Sequence, residues 1–327
     1  MSLDPDLAAF LELVEANVMS GSKPMMHELT PEQARIEYDA STQILDVPGL
    51  AVESVTPISI SCRDGQWINA RLYKPIELAE EKGPLPVLLY FHGGGYCVGS
   101  LDSHDSLCRS LAALTPCCVL NAAYRLAPEY RFPTAVYDAQ DAYQWILSAG
   151  AEYNLDITRV AVGGDSAGGT LATGLCLAAR DNNWSQPVCQ VLLYPCTSAW
   201  QNTESHRRFA QGYLLEAVTL QWMFSHYLRD TADRIDWRFA PLEASNLSSL
   251  APSFLVFAEY DPLIDEGITY ADRLKTAGVS TLVRIYPGMT HDFARLGNIA
   301  NEAYQVRKDI ACALANAFYP NRNTHLD

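Results

Sequence analysis

Short apolar runs alternate with amphipathic segments along most of this chain. Uninterrupted apolar runs of this length are typical of strands buried on both faces. Six of them occur: "PVLLYF" (86–91), "CCVLNAAY" (117–124), "RVAVGG" (159–164), "CQVLLYP" (189–195), "SFLVFAEY" (253–260) and "STLVRIYP" (280–287). Helical patterns separate or follow them, at 104–115, 133–150, 166–180, 265–278 and 299–318. This repetition predicts a parallel sheet with helices on both faces.

Two alternating runs precede this region and extend the predicted sheet to eight strands. "VTPISISC" and "WINARLYK" are separated by "RDGQ", which indicates a hairpin at the sheet edge. Residues 198–248 contain the helical pattern "LEAVTLQWMFSHYL" but no strand. Residues 1–50 start with apolar positions at helical spacing and continue as a polar stretch punctuated by prolines. We predict that 1–50 and 198–248 form a cap on a main domain made of 51–197 and 249–327.

Charge and cysteine usage narrow the class of protein. The 327 residues include 23 basic and 38 acidic side chains, a formal charge of −15, which disfavours binding to nucleic acid or anionic membranes. The nine cysteines show no metal-ligand spacing and are typical of buried thiols in a reducing compartment. Acidic residues occupy the start, where a signal peptide is basic, and no apolar run approaches the roughly 20 residues of a membrane span. We therefore expect a cytoplasmic protein without membrane insertion.

The segment "VAVGGDSAGGTLA" carries the strongest chemical signal. Gly164-Asp165-Ser166-Ala167-Gly168 fits G-x-S-x-G, follows an apolar run and leads into a helical pattern. Such a turn presents a strained serine at the carboxyl end of a sheet, and small residues two positions either side avoid collision. The alternative is a glycine-rich turn that only packs closely. A phosphate-binding loop is excluded because the Lys-Ser/Thr ending is absent.

A serine hydroxyl needs a base to remove its proton. In folds that carry a G-x-S-x-G turn between a strand and a helix, the base follows the serine in the chain. Four histidines follow Ser166. His206 and His226 fall in the predicted cap segment, and His325 lies close to the last residue. His291, in "YPGMTHDF", directly follows a predicted strand and is the candidate base.

The base in turn needs an acid to orient it. Asp261 comes just after the run "SFLVFA", thirty residues before His291, and is the first candidate. Glu259 is the second choice. Asp265 and Glu266 are better explained as carboxylates at the start of a helix.

The stretch "LLYFHGGGYCVG" (88–99) places three adjacent glycines after a predicted strand. Backbone N–H groups of such a loop can approach the oxyanion of a tetrahedral intermediate, and HGGG loops of this kind occur in lipases and esterases. We expect Gly95 only to let the loop turn. His92 precedes the serine, so we expect it to hold the loop in shape rather than act as a base.

Taken together, these motifs resemble the hormone-sensitive-lipase family of α/β-hydrolases. The resemblance rests on "YFHGGGYCVGSLDSHD", "AAYRLAPEYRFPTAVYDAQDAYQWI", "VAVGGDSAGGTLA", "LLYPCTS", "GYLL", "AEYDPLIDEGITYADRL" and "YPGMTHDF", in family order. It implies an α/β-hydrolase fold with a helical cap, and a carboxylesterase of short- to medium-chain acyl esters that needs no cofactor or metal. It further implies a catalytic triad of Ser166, His291 and Asp261, an oxyanion hole from Gly93, Gly94 and Ala167, and a homodimer through the last strand, about residues 280–287.

Several points stay open at the level of sequence. A peptidase or amidase on the same fold and a non-catalytic small-molecule-binding member of the family are the alternatives. Asp292 stands where many relatives have glycine, and Cys97 lies close enough to the oxyanion loop to raise the question of thiol sensitivity. The predicted pocket residues are all in the cap: Phe209, Tyr213, Leu214, Trp222 and Met223.

Overall fold

The structure is a computed structural model that describes residues 2–76 and 83–320. An eight-stranded sheet runs through this part of the chain in the order β1-β2-β4-β3-β5-β6-β7-β8. The strands are β1 (Ser54–Ser61), β2 (Trp67–Lys74), β3 (Leu85–Phe91), β4 (Cys118–Ala122), β5 (Leu155–Asp165), β6 (Gln190–Leu193), β7 (Ser253–Tyr260) and β8 (Thr281–Thr290).

Strand pairing agrees with the pattern in the sequence. β1 and β2 form the predicted antiparallel hairpin at the edge, and β2 also pairs antiparallel with β4. Every other neighbouring pair, from β4 to β8, is parallel. The predicted mostly parallel eight-stranded sheet is confirmed. The carboxyl ends of β3, β5, β7 and β8 therefore meet at one edge, where open α/β sheets place their ligands.

Helices cover both faces of the sheet, as predicted. Side chains of β3 alternate between the two cores: Leu89 and Phe91 belong to one, Leu88 and Tyr90 to the other. The first core also contains side chains of α4, α5 and α8, and the second contains those of α3 and α9. The helices are α1 (Pro5–Met19), α2 (Pro31–Leu45), α3 (Asp105–Leu114), α4 (Thr134–Ala149), α5 (Ala167–Asp181), α6 (Glu204–Arg208), α7 (Ala217–Tyr227), α8 (Ile264–Thr276) and α9 (Glu302–Phe318).

Helix α2 was not anticipated as a helix, because its residues read as a polar stretch. Its start is nevertheless well specified by local chemistry. The Thr30 hydroxyl accepts the Gln33 N–H at 3.3 Å, and the Gln33 side chain accepts the Thr30 N–H at 3.1 Å. Pro31 occupies the first helical position, where a missing N–H costs nothing.

Four helices lie outside the strand-helix repeat: α1 and α2 before it, and α6 and α7 between β6 and β7. Met223 and Phe224 of α7 are buried in the same core as α5. Assignment of residues 1–50 and 198–248 to a cap stays a prediction. No helix in the described ranges is both long enough and apolar enough to cross a membrane.

A buried ion pair ties the segment after α2 to the last helix. The Arg307 guanidinium of α9 donates to both carboxylate oxygens of Asp46 at 2.7 Å, and the two residues are only 2% and 5% exposed. Arg307 also donates to the hydroxyls of Ser106 and Ser110. Such a pair is costly to break because the surviving charge is left without a partner.

We therefore predict that Asp46→Ala lowers the free energy of unfolding by about 3–5 kcal/mol, measured by urea denaturation. Glu204→Ala is the matched control, because it breaks an exposed Arg207–Glu204 pair at 2.8 Å. That variant should cost no more than about 1 kcal/mol. Equal losses in the two variants would contradict this account of Arg307.

Candidate active site

Ser166 occupies the sharp turn between β5 and α5. Its backbone has φ +52° and ψ −120°, a conformation that non-glycine residues rarely adopt. Its N–H donates to the Leu193 carbonyl of the neighbouring strand at 2.8 Å. A Cβ on Gly168 would overlap the Phe91 carbonyl at the end of β3, so α5 approaches the sheet more closely than a larger residue allows. The G-x-S-x-G segment thus forms the predicted strand-to-helix turn.

Three predicted side chains meet at the carboxyl edge of the sheet. His291, directly after β8, lies with Nε2 3.0 Å from the Ser166 Oγ. Its Nδ1 lies 2.7 Å from Oδ2 of Asp261, the residue after β7. The other Asp261 oxygen accepts the Leu263 N–H at 2.8 Å, which fixes the carboxylate. In this arrangement Nδ1–H donates to Asp261, and Nε2 is free to accept the serine proton.

Electrostatics at His291 favour the protonated ring. Burial disfavours the imidazolium, but the charge of Asp261 and its hydrogen bond outweigh burial and raise the pKa of His291. The ring also packs against Tyr194, with centroids 4.7 Å apart. A base whose pKa is raised in this way accepts a proton readily and then holds it as a cation stabilised by Asp261.

The other acidic candidates lie elsewhere. Glu259 accepts the Gly288 N–H at 2.9 Å, and Asp265 accepts the Ser205 N–H at 2.8 Å. Glu266 accepts the N–H groups of Thr197 and Ser198, and its burial raises its pKa to about 8. Asp261, with Oδ2 2.7 Å from Nδ1, is the acid beside the ring.

The oxyanion hole of Gly93, Gly94 and Ala167 stays a prediction, and the lining of the cavity favours Gly95 over Gly93. Gly93 does not line the cavity above Ser166, and its N–H points to Nε2 of His104 at 3.4 Å. Gly94 and Gly95 do line the cavity, as does Ala167. Positive φ values of +107° at Gly94 and +57° at Gly95 turn the chain there. The candidate oxyanion donors are therefore Gly94, Gly95 and Ala167.

Gly95 has a second role that its neighbours explain. The place where a Cβ would project is occupied by the side chain of Met223 from α7. Gly95 thus does more than allow a turn. Because it lacks a side chain, Met223 of α7 can pack directly against the loop.

His92 is placed as expected for a residue that shapes the loop. Its Nδ1 lies 2.7 Å from the Gly93 carbonyl oxygen, and its ring stacks on Tyr124 with centroids 4.4 Å apart. Burial, reinforced by the nearby His104, lowers the pKa of His92 to about 3. The ring is therefore neutral under ordinary conditions and holds the loop without taking part in proton transfer.

A cavity of about 190 Å³ opens above Ser166. Leu214 and Met223 line it, as predicted, but Phe209, Tyr213 and Trp222 do not. Phe209 and Tyr213 pack on Tyr260 at centroid distances of 5.5 and 5.8 Å, and Trp222 packs edge-on against His226 at 4.6 Å. These three aromatic side chains face other parts of the fold. Phe209 and Tyr213 lie in the segment between α6 and α7, and Trp222 is on α7, which directs only part of its surface to the cavity.

Part of the cavity wall comes from residues 1–50, the segment predicted to belong to the cap, in which the sequence analysis identifies no lining residue. These lining residues are Phe10 of α1, Met26, and Tyr38, Ser41, Thr42 and Leu45 of α2. The capping sequence Thr30-Pro31-Glu32-Gln33 could have revealed the helix that carries four of them. Over the described ranges, no group of three or more His, Cys, Asp or Glu side chains is placed to hold a metal ion.

Comparison with known proteins gives a consistent result. A family profile described as alpha/beta hydrolase fold matches residues 88–295. Ethyl acetate hydrolase of Pseudomonas putida is 44% identical over 93% of this chain and 95% of its own length. Carboxylic ester hydrolase LipN of Mycobacterium tuberculosis is 39% identical over 86% of this chain and 75% of its own.

Solved structures agree with these relatives. Ester-hydrolase EH1AB1 from the Lake Arreo metagenome has a TM-score of 0.92 and 35% identity, covering 97% of this chain and 99% of that one. A thermostable esterase from Pseudomonas putida ECU1011 has a TM-score of 0.90 and 31% identity, with coverage of 97% and 98%. The chain belongs to the hormone-sensitive-lipase family of α/β-hydrolases, and the predicted class, carboxylic ester hydrolase, is confirmed.

The thiol of Cys97 lies behind the glycine loop. It is buried and donates to the Met223 carbonyl oxygen at 3.6 Å. Burial raises the pKa of Cys97 to about 12, so it is scarcely ionised at neutral pH. All nine cysteines are free, and Cys312 alone among them is half-buried rather than buried.

We predict that iodoacetamide at pH 8 adds at most one carbamidomethyl group to the native chain, at Cys312, and leaves hydrolysis of p-nitrophenyl acetate unchanged. The reason is that alkylation requires an accessible thiolate. Intact-mass spectrometry with peptide mapping measures the result, and the urea-denatured chain should take up nine groups. Loss of activity in step with alkylation of Cys97 would refute it.

Proposed function

We propose that this protein hydrolyses carboxylic esters with short to medium acyl chains, through an acyl-enzyme on Ser166. The observation that carries the proposal is the continuous hydrogen-bonded series from Ser166 Oγ through His291 to Asp261, placed at the floor of the cavity. Nucleophile, base and orienting acid are the three parts that acyl transfer by a serine requires.

The reaction proceeds in two halves. Ser166 Oγ attacks the ester carbonyl carbon while His291 Nε2 takes the hydroxyl proton, and the carbonyl oxygen becomes an oxyanion. The intermediate then expels the alcohol, which leaves with the proton from Nε2. Water attacks the acyl-enzyme in the same manner, and the released products are the carboxylic acid and regenerated Ser166. Asp261 keeps the imidazole oriented and stabilises its cation in both halves.

The oxyanion is stabilised by backbone donors. The N–H groups of Gly94, Gly95 and Ala167 donate to no acceptor within the part of the chain that the structure describes, and all three residues border the cavity. One such donor contributes about 2.7–4 kcal/mol to the transition state. Ala167 is also the first residue of α5, where the helix dipole favours negative charge.

The walls of the cavity support a limited acyl length. Its volume of about 190 Å³ is below the roughly 300–1,000 Å³ typical of ligand pockets, so there is little room for a long chain. The apolar part of the wall includes Leu214, Leu215, Leu220, Met223 and Phe224. The name of the relative from Pseudomonas putida, ethyl acetate hydrolase, points in the same direction.

We predict that Ser166→Ala and His291→Ala each reduce kcat on p-nitrophenyl butyrate by at least about 10³-fold with the fold unchanged, because each removes one member of the proton-transfer series. His226→Ala is the matched control, since this histidine on α7 contacts Trp222 and not Ser166. An organophosphate should add covalently to Ser166 in the parent protein. More than trace activity in Ser166→Ala contradicts the mechanism. A parent protein that neither hydrolyses the ester nor takes up the organophosphate favours a binding role instead.

We also predict that kcat/KM across p-nitrophenyl esters from acetyl to dodecanoyl peaks at or below about eight carbons, because the cavity is small and lined by bulky side chains. Rates are measured below the micelle concentration of each ester. A maximum at dodecanoyl would overturn the proposed substrate range while leaving the triad untouched.

A further inference from the structure

The residue after the candidate base is a carboxylate held by an arginine. Arg295 Nε donates to Asp292 Oδ1 at 3.0 Å, and its Nη2 donates to Oδ2 at 2.6 Å. Asp292 has φ +68°, in the left-handed region, and caps the short helical turn that contains Arg295. An aspartate in that conformation costs free energy of order 1 kcal/mol, which a two-pronged, charge-assisted contact can offset.

The same arginine reaches two other segments. Its guanidinium lies over the Tyr38 ring of α2, with Cζ 4.4 Å from the centroid. Its Nη1 donates to the Thr42 hydroxyl at 2.8 Å and to the Ser103 carbonyl at 3.0 Å. The Tyr38 hydroxyl in turn lies 3.4 Å from Asp292 Oδ2. Arg295 thus joins the loop of His291 to helix α2 and to the segment before α3.

These polar groups form one wall of the cavity, but they satisfy one another. Ser41 and Thr42 donate to the Tyr38 carbonyl, and Arg295 is only 6% exposed. Donors used in this way hold their neighbours in place rather than bind a substrate.

We propose that Arg295 is a positioning residue: by clamping Asp292 against α2, it keeps that carboxylate paired away from His291 and anchors the loop that carries the imidazole. This inference rests on the proposed function, since it concerns the same histidine. Without the guanidinium, the negative charge of Asp292 next to the ring would be uncompensated, and the carboxylate would be retained only by the Tyr38 hydroxyl.

Charged and titratable groups surround His291 from every packed element. They are Asp261 after β7, Asp165 at the end of β5 with His104 behind it, Tyr194 after β6, Tyr38 of α2, and Asp292 with Arg295 on its own loop. The carboxylates of Asp261, Asp292 and Asp165 all act to raise the pKa of His291. Changing the Asp292–Arg295 pair should therefore move the titration of His291 in a direction set by which charge remains.

The test is an NMR titration of His291, with ¹³C-labelled histidine in a Ser166→Ala background, so that no turnover is needed. Arg295→Met should move the midpoint up by roughly 0.5–1 pH unit, since an unpaired carboxylate favours the imidazolium. Asp292→Asn should move it down, because the guanidinium then stands alone. The double variant should return to within about 0.3 unit of the parent.

In protein with Ser166 intact, the acidic limb of kcat/KM should follow the same order, so Arg295→Met loses about 3–10-fold at pH 6. Arg159→Met is the matched control. It breaks an Arg–Asp pair of 2.6 Å at the opposite end of β5, roughly 20 Å from Ser166, and should leave the midpoint unchanged. Should Arg295→Met not fold, Arg295→Lys replaces the fork by a single ammonium and should shift the midpoint in the same direction by less.

Single variants that shift the midpoint in the same direction, or not at all, overturn the role of Arg295. If the NMR midpoint moves while the kinetic limb does not, the positioning holds and His291 is not the base. Failure of the role of Arg295 and failure of the proposed function thus give different results.

Discussion

The close approach of helix α5 to the end of strand β3 is the contact on which the site depends. Gly168 lies against the Phe91 carbonyl, and a methyl group there would push the helix off the sheet. This approach forces Ser166 into its strained conformation, which costs about 1–3 kcal/mol and is sustained by a strand buried between two neighbours. The glycine loop begins at His92, the residue that follows Phe91. Serine and loop are therefore placed by the same contact, and neither can shift without the other.

Below that contact, the buried carboxylate of Asp165 links the serine turn to the glycine loop. Asp165 accepts the Tyr90 hydroxyl at 2.7 Å and lies 3.1 Å from Nε2 of His104, the nitrogen that also faces the Gly93 N–H. Burial disfavours the charge of Asp165, but His104 outweighs it and lowers the pKa of that carboxyl. Gly93 belongs to this buried group of side chains, whereas Gly94 and Gly95 face the cavity.

The sequence predicted the features that local pattern determines. Six apolar runs and two alternating runs located the eight strands. The G-x-S-x-G motif selected Ser166, and position just after a predicted strand selected Asp261 and His291; the structure brings the three within hydrogen-bonding distance. The sequence does not predict the direction in which a backbone N–H group or a side chain points. Which glycine N–H faces the cavity depends on φ at Gly94 and Gly95, where a glycine leaves both signs open. The sequence also does not indicate which surface of α7 faces the cavity, and Trp222 of that helix lies outside the cavity wall.

Helix α2, which the sequence did not predict, and helix α7 both line the cavity and contact the loops that carry the candidate catalytic groups. Met223 of α7 fills the space over Gly95, and Tyr38 of α2 stacks on the arginine that holds Asp292. Both residues also line the cavity. One cavity-lining side chain, Met223, thus contacts the glycine loop, and another, Tyr38, contacts the arginine that holds Asp292 beside His291. Under the proposed mechanism, reshaping the cavity at either residue changes the support of a reacting group as well as the space for the acyl chain. Substrate range and catalytic geometry would then be coupled through these two side chains.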